Sequence, residues 1–370
     1  MVAEVLVMRP QALVDRVEVQ AFRVPTDAPE SDGTLEWSST VLVVVHASGG
    51  GRKGLGYTYA DRATAAVVHD TLAPVVQGLD ALQPRAAYGK MRRAVRNLGR
   101  EGIAAMAVSA VDVALWDLAA RIGEVPLVTM LGAARKSIEA YGSGGFTSYS
   151  NERLCEQLGG WVEAGMKRVK MKVGRDPAAD RERVALARKA IGKAALFVDA
   201  NGAYSMREAL GQAEAFAAHD VRWFEEPVSS DDLAGLHAVR EHAPVWMDIA
   251  AGEYGYDPIY FRRLLDAEAV DVLQADASRC GGVTGFLEAD ALCDARGMPL
   301  SAHGAPHLHG HLACASLRAV HVEYFHDHAR IEQALFEGAL SPEDGALRPD
   351  LAKPGLGIEL REREAKRFGI

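Results

Sequence analysis

Cysteine is scarce in this chain: four in 370 residues, at Cys155, Cys280, Cys293 and Cys314, none of them paired as C-x-x-C. That spacing excludes a disulfide framework and a cysteine-based zinc site, and it fits reduced thiols in the cytoplasm. Positive charge is also in short supply. Lys and Arg number 41 against 50 Asp and Glu, a net charge of -9, which leaves no basic face for nucleic acid. The sequence shows no apolar run of membrane-spanning length. At the N-terminus, "MVAEVLVMRPQALVDRVEV" places Glu4 before its apolar residues and Arg9 after them, the reverse of a secretory leader. The expectation is a cytoplasmic protein with neither a membrane nor a nucleic-acid partner. What is present, 49% hydrophobic and 25% charged residues, describes an ordinary globular protein. The length calls for two domains or one large barrel with an appendage.

Residues 13–60 read as strands and hairpins: "LVDRVEVQAFRV" alternates, "STVLVVVHA" is β-branched, and "SGGGRKGLGYTYA" is glycine-rich. Between the first two, the turn-rich "PTDAPESDGTLEWSS" reads as a mobile loop. Helical periodicity takes over at 62–122, and "AMAVSAVDVALWDLAARIG" is expected to stop at Gly123. From Ser137 the grammar changes to short apolar strands alternating with amphipathic helices. Eight strand candidates follow one another at intervals of about 20 to 31 residues, the rhythm of a (β/α) barrel. The expected architecture is therefore α/β, with an α+β capping domain at 1–132 and the barrel at 133–330. The irregular tail, 331–370, should return to the cap.

In "VKMKVG" strand alternation puts Lys170 and Lys172 on one face, opposite Val169, Met171 and Val173. Taken alone, the spacing is best read as an exposed edge strand. The neighbouring strands change its meaning. Each candidate ends on polar residues: Ser143, then Lys170 and Lys172, Asp199 and Asn201, Glu225 and Glu226, Glu253, Asp276, His303 and Glu323. Singly, each would be a helix cap; together they gather at the C-terminal rim, where barrel enzymes do chemistry. Asp199, Glu225 and Glu253 would repel one another without a counter-ion, and an all-oxygen set suits Mg²⁺, with Mn²⁺ as a substitute. Within "WFEEP", alternation selects Glu225, on the face of Trp223; Glu226, Asp231 and Asp232 go to the loop and helix start. Asp248 is a rival third ligand that alternation disfavours. Apart from His303, the histidines His307, His309, His311, His326 and His328 read as loop or helix-start residues.

The ordered set K-x-K at 170–172, D-A-N-G at 199–202, E-E-P at 225–227, G-E at 252–253, "QADASRCGGVTG" at 274–285, "SAH" at 301–303 and Glu323 resembles the mandelate racemase subgroup of the enolase superfamily. The likeness extends to "VDVALWDLAARIG" in the capping region. It implies a modified TIM-type (β/α)8 barrel of the form (β/α)7β and a homo-oligomer. It also implies a small-molecule carboxylate substrate and Mg²⁺ held by Asp199, Glu225 and Glu253. By the same resemblance Lys172 would be the base on one substrate face. Lys170 would hold a carboxylate oxygen and keep Lys172 unprotonated. His303, paired with Asp276, would be the acid/base opposite. Glu323 would bond the enediolate, and Ser143 and Asn201 would touch the substrate or the metal's surroundings. Such a Lys or His base beside Mg²⁺ is the known solution of this superfamily to abstracting a proton α to a carboxylate.

Three outcomes can follow proton abstraction. Dehydration of a sugar acid to a 2-keto-3-deoxy acid, a hydro-lyase reaction, is the expectation. Racemisation or epimerisation of a 2-hydroxy acid is the alternative. Muconate-type cycloisomerisation is set aside, because Asp276 stands where that subgroup carries a lysine. A non-catalytic barrel would have little reason to retain so many charged groups, which are costly when buried.

Overall fold

The computed structural model describes residues 12–370; most of the N-terminal stretch weighed against a secretory leader, residues 1–11, lies outside them. An antiparallel sheet in the order β1-β2-β3 opens the chain: β1 (Val14–Ser31), β2 (Glu36–Gly49) and β3 (Arg52–Tyr59). The β-branched run Leu42–Val45 is its buried centre. Helices α1 (Ala63–Val67), α2 (Ala73–Val76), α3 (Pro84–Ala94) and α4 (Ile103–Ile122) follow, with a π-helical turn joining α1 to α2. α4 ends against Gly123 as the sequence predicts. It lies so close to β3 that a Cβ on Gly56 would sit 2.2 Å from the Ala110 carbonyl oxygen. By length and composition α4 could cross a membrane, contrary to the sequence reading, but its apolar window is 83% buried inside the protein.

The segment expected to be a mobile loop is instead the end of the β1–β2 hairpin. Pairing continues past an irregularity between Pro25 and Glu30, and Ser31 still pairs with Glu36. Asp32 closes the turn: its Oδ1 accepts from the Thr34 and Leu35 amides at 2.6 and 2.7 Å, a local bond that turn residues use to stand in for backbone pairing. A Cβ on Gly33 would meet the Ala200 carbonyl oxygen at 2.4 Å, so the tip rests on the loop that follows a barrel strand. The polar composition that signalled a loop belongs to a strand pair facing the barrel mouth.

After α5 (Leu127–Met130), eight units follow: β4 (Ile138–Gly144) and α6 (Asn151–Glu163), β5 (Arg168–Lys172) and α7 (Pro177–Ile191), β6 (Ala195–Asp199) and α8 (Met206–Ala217), β7 (Val221–Glu225) and α9 (Leu233–His242), β8 (Asp248–Ala251) and α10 (Pro258–Asp266), β9 (Val272–Ala275) and α11 (Gly282–Arg296), β10 (Leu300–Ala302) and α12 (Pro306–Ala315), β11 (Ala319–Phe325) and α13 (His326–Leu335). All eight strands are parallel, and β11 pairs with β4 to close the ring. The last helix joins barrel to cap: Asp327 accepts from Thr40, and Tyr57 donates to Glu332 at 2.7 Å. The tail also returns to the cap, where the Ile370 amide donates to the Ala21 carbonyl.

Local chemistry starts the helices. Ser150, Asp176, Ser205, Asp232 and Asp257 each accept amides of the first turn, as N-caps do. Alternation builds the wall. Val169, Met171, Leu196, Val198, Phe224 and Ile249 are buried in the main core, while Tyr141, Phe197, Trp223 and Val272 form a separate apolar cluster with Ala250. Lys170 and Lys172 share the Tyr141 side of this pattern. The edge-strand reading of "VKMKVG" is thereby corrected: β5 is an interior strand between β4 and β6, and both lysines are buried.

Candidate active site

The strand ends bring the polar residues into one cluster. Ligand atoms of Asp199, Glu225 and Glu253 all lie within 4.8 Å of one another. Glu225 Oε2 accepts from Trp223 Nε1 at 2.9 Å, in line with their shared face. Asp248, the rival ligand, is exposed at the start of β8, at the end of the strand away from Glu253. Glu226, read as a loop residue, is buried too, in a left-handed conformation with φ of 38°. Its Oε1 has no hydrogen-bond partner. Burial, then the charges of Glu253 and Asp199, raise its carboxyl far above the usual range.

Each carboxylate of the trio is matched to a cationic side chain. Lys172 Nζ lies 2.5 Å from Asp199 Oδ2, and Lys170 Nζ 2.5 Å from Glu225 Oε1. His303 Nε2 lies 2.8 Å from Glu253 Oε2. Lys170 also reaches Glu323 Oε1 at 2.8 Å, and Lys172 donates to Asn201 Oδ1 at 3.0 Å. Behind His303, Asp276 Oδ2 stands 3.0 Å from Nδ1, which fixes the tautomer and turns Nε2 to the site. Ser143 donates to Glu323 at 2.6 Å and sits behind the residues that line the cavity. Lys172, Asn201, Glu253 and His303 form that lining from the barrel side.

Burial opposes charge throughout and is outweighed at most positions. It is the largest single influence on Lys172 and lowers it, but Asp199, Glu253 and Glu225 together raise it more, so the ammonium form prevails despite the opposing charge of Lys170. The expectation is that Lys170 and a bound cation together favour the neutral amine; Lys170 acts in that direction, after burial and Asp199 in size. Burial likewise lowers His303, while Glu253 and Glu323 carry it up to about 10. Burial and the Asp199 charge push Glu225 up to about 8. Asp276 falls well below the carboxylate range against its burial, held there by His303.

Six buried carboxyl groups, those of Asp199, Glu225, Glu226, Glu253, Asp276 and Glu323, thus face Lys170, Lys172, Arg279 and one imidazole. The raised carboxyls of Glu225 and Glu226 and the unpartnered oxygen of Glu226 mark acidic groups crowded together, which fits a hard divalent cation between three oxygen donors.

Several residues at the site were not singled out from the sequence. Arg279 Nη1 lies 3.6 Å from Glu253 Oε1, and its Nε 3.5 Å from Asp276 Oδ2; its only signal was its place three residues after Asp276. Tyr59 and His328 stack at 3.5 Å and line the cavity with Asp32 and Trp37 from the hairpin. His309 and His311 lie within α12 rather than in a loop or at its start, fully buried. His309 ties two strand ends together, bonding the Gly304 carbonyl and accepting from the Ala277 amide.

Residues 153–365 match the enolase C-terminal domain-like family, and residues 16–132 match the N-terminal domain of mandelate racemase and muconate lactonizing enzyme. A 3,6-anhydro-alpha-L-galactonate cycloisomerase of Streptomyces coelicolor is 32% identical over 97% of this chain and 100% of its own length. An L-talarate/galactarate dehydratase of Salmonella typhimurium is 30% identical over 96% of this chain and 90% of its own. Among solved structures, a mandelate racemase/muconate lactonizing enzyme-like protein from Rubrobacter xylanophilus superposes with a TM-score of 0.95 at 53% identity, covering 98% of this chain and 100% of that one. A racemase from Streptomyces coelicolor with bound magnesium gives 0.91 at 30% identity, covering 97% and 100%.

Proposed function

Because this chain belongs to the mandelate racemase and muconate lactonizing enzyme family of the enolase superfamily, we propose that it is a Mg²⁺-dependent enzyme that removes the α-proton of a sugar acid and expels the β-hydroxyl. The product is a 2-keto-3-deoxy acid. The observation that carries this reading is the placement of Lys172 and His303 at opposite members of the carboxylate trio, on Asp199 and Glu253.

Asp199, Glu225 and Glu253 would hold Mg²⁺, which when bound supplies Lewis-acid stabilisation to the substrate carboxylate. Lys170 binds a carboxylate oxygen. In its neutral amine form, Lys172 accepts the α-proton at Nζ. Glu323, fixed by Ser143 and the Gly304 amide, would bond the enediolate oxygen only when its carboxyl carries a proton to donate, since, against burial, Lys170 and His303 otherwise hold it ionised. The His303 imidazole, oriented by Asp276, donates from Nε2 to the departing hydroxyl, which leaves as water. The resulting enol becomes the keto acid.

A second reading is kept open by the Streptomyces coelicolor relative, itself a cycloisomerase. The aspartate at 276 rules out only the lysine-dependent muconate type, so isomerisation of a cyclic sugar acid starts from the same proton abstraction. Racemisation would instead use Lys172 and His303 on two faces of one carbon. An acid-sugar library in D₂O with Mg²⁺, followed by NMR, separates them. A 2-keto product supports dehydration; deuterium at the α-carbon with a new stereoisomer, or an altered ring, would redirect the reading. Failure of every acid to exchange would defeat it.

A further inference from the structure

The cavity between the β1–β2 hairpin and the barrel mouth has a volume of about 390 Å³, enough for one small ligand. Its two walls differ in charge. On the barrel side stand Lys172 and Arg279, and both are engaged: Lys172 with Asp199 and Asn201, Arg279 with Glu253 and Asp276. On the cap side, Asp32 and Asp61 reach the cavity with the neutral Leu35, Trp37 and Ser39. No Lys or Arg among the described residues lines that side. His328, beside it, accepts from the Ala305 amide at Nδ1 and is therefore an uncharged imidazole, stacked on Tyr59.

A ligand anchored by its carboxylate at the Lys172 end of the cavity would extend its tail toward the cap. A second carboxylate there would lose water against Asp32 and Asp61 with no cation to meet it, a strongly unfavourable pairing. A hydroxyl tail has a partner. The side-chain bonds of Asp32 all fall on Oδ1, which leaves Oδ2 to accept from a ligand hydroxyl. We propose that this site takes sugar acids with a single carboxylate, aldonates, and rejects dicarboxylate aldarates through the acidic cap wall. The family's relatives include enzymes named for each kind, a galactonate derivative and a galactarate. The inference rests on the proton-abstraction reading for where the first carboxylate sits.

The test uses the full chain with Mg²⁺, five- and six-carbon aldonates and the corresponding aldarates. Two readouts are taken: the rise in melting temperature on binding, and α-deuterium exchange in D₂O. Aldonates should raise the melting temperature, and their kcat/KM for exchange should exceed that of the aldarates by about tenfold or more. Asp32→Asn keeps the Oδ1 acceptor of the turn and removes the charge; it should narrow that ratio several-fold, with Asp61→Asn as an independent check. Aldarates binding as well as or better than aldonates would overturn the proposal, as would stabilisation by neither class. Aldonate-selective stabilisation without exchange would instead overturn the proton-abstraction reading and leave the charge selection standing.

Discussion

Lys172 Nζ stands 2.5 Å from Asp199 Oδ2 and 3.0 Å from Asn201 Oδ1, so the expected base and an expected metal ligand share one contact. Replacing Lys172 with Ala or Met should reduce α-proton exchange by on the order of 10³-fold or more, while Asp199 keeps Lys170 at 3.3 Å as a partner. NMR of the substrate α-proton in D₂O measures this. Wash-in at the wild-type rate would remove Lys172 from the role.

That contact also marks the limit of what the sequence disclosed. Strand rhythm and the order of polar strand ends located the barrel and the carboxylate trio, because alternation in a closed parallel barrel decides which side chains face inward; the pairing of His303 with Asp276 came from the family resemblance. The charge state of Lys172 depends on which carboxylate it touches, and spacing carries no such distance. The strand pairing at the end of the β1–β2 hairpin was missed for a related reason. Proline, aspartate and glycine mark turns in an exposed chain, yet here Glu30 and Ser31 are buried strand residues, held by Ser31 and Asp32 contacts to Thr147 on the barrel. Arg279 and Glu226 escaped because their roles depend on loop geometry after the strand, where period-two alternation no longer applies.

His303 and Lys172 should separate in mutant kinetics. His303→Asn removes the proposed acid but leaves Lys172 in place. Deuterium should still enter the α-carbon, while 2-keto product falls by about 10² to 10⁴-fold. Asp276→Asn should weaken dehydration in the same direction by disturbing the imidazole's tautomer. If the His303 variant loses exchange and dehydration together, the division of labour between the two faces is wrong.

Cation binding can be read without turnover. Mg²⁺ should raise the wild-type melting temperature, since a ligand that binds only the folded state adds RT ln(1 + [L]/Kd) to its stability. Glu225→Gln and Glu253→Gln should each blunt the rise, whereas Asp248→Asn, at the opposite end of β8, should leave it intact. An equal rise in all four proteins would place the ion elsewhere.

Asp117 bonds across three elements: its carboxylate accepts from the Leu55 amide at 2.7 Å, the Leu356 amide at 2.5 Å and Arg121 Nε at 2.7 Å. Removing it strands two buried amides, while Arg121 keeps Glu359 and the Ile358 carbonyl, so Asp117→Ala should cost about 2 to 5 kcal/mol. A lowered urea midpoint at unchanged slope would show it. A change within 1 kcal/mol, within the usual range of a single hydrogen bond, would mean that solvent replaces all three partners.

His307 should make the fold acid-sensitive. Its Nε2 donates to the Leu356 carbonyl at 2.8 Å and its Nδ1 accepts from the Leu340 amide at 3.1 Å, so the neutral ring clamps α12 to the tail. A proton on Nδ1 would break the second bond. Burial, only partly offset by the Leu356 bond, lowers this imidazole to about 4 from its ordinary 6.5. Because the folded value lies below the unfolded one, the contribution is complete above about pH 6.5. It declines as the pH falls and is gone once the pH has passed below about 4, a total of about 3 kcal/mol. Urea midpoints at pH 7, 5.5 and 4.5 should therefore fall in the wild type. His46, His321 and His328, lowered mainly by burial, add slope of the same sign. His307→Asn keeps an acceptor near Leu340 and cannot titrate, so its midpoints should start lower at pH 7 and decline less steeply. Parallel slopes in the two proteins would assign the acid sensitivity to the other histidines alone.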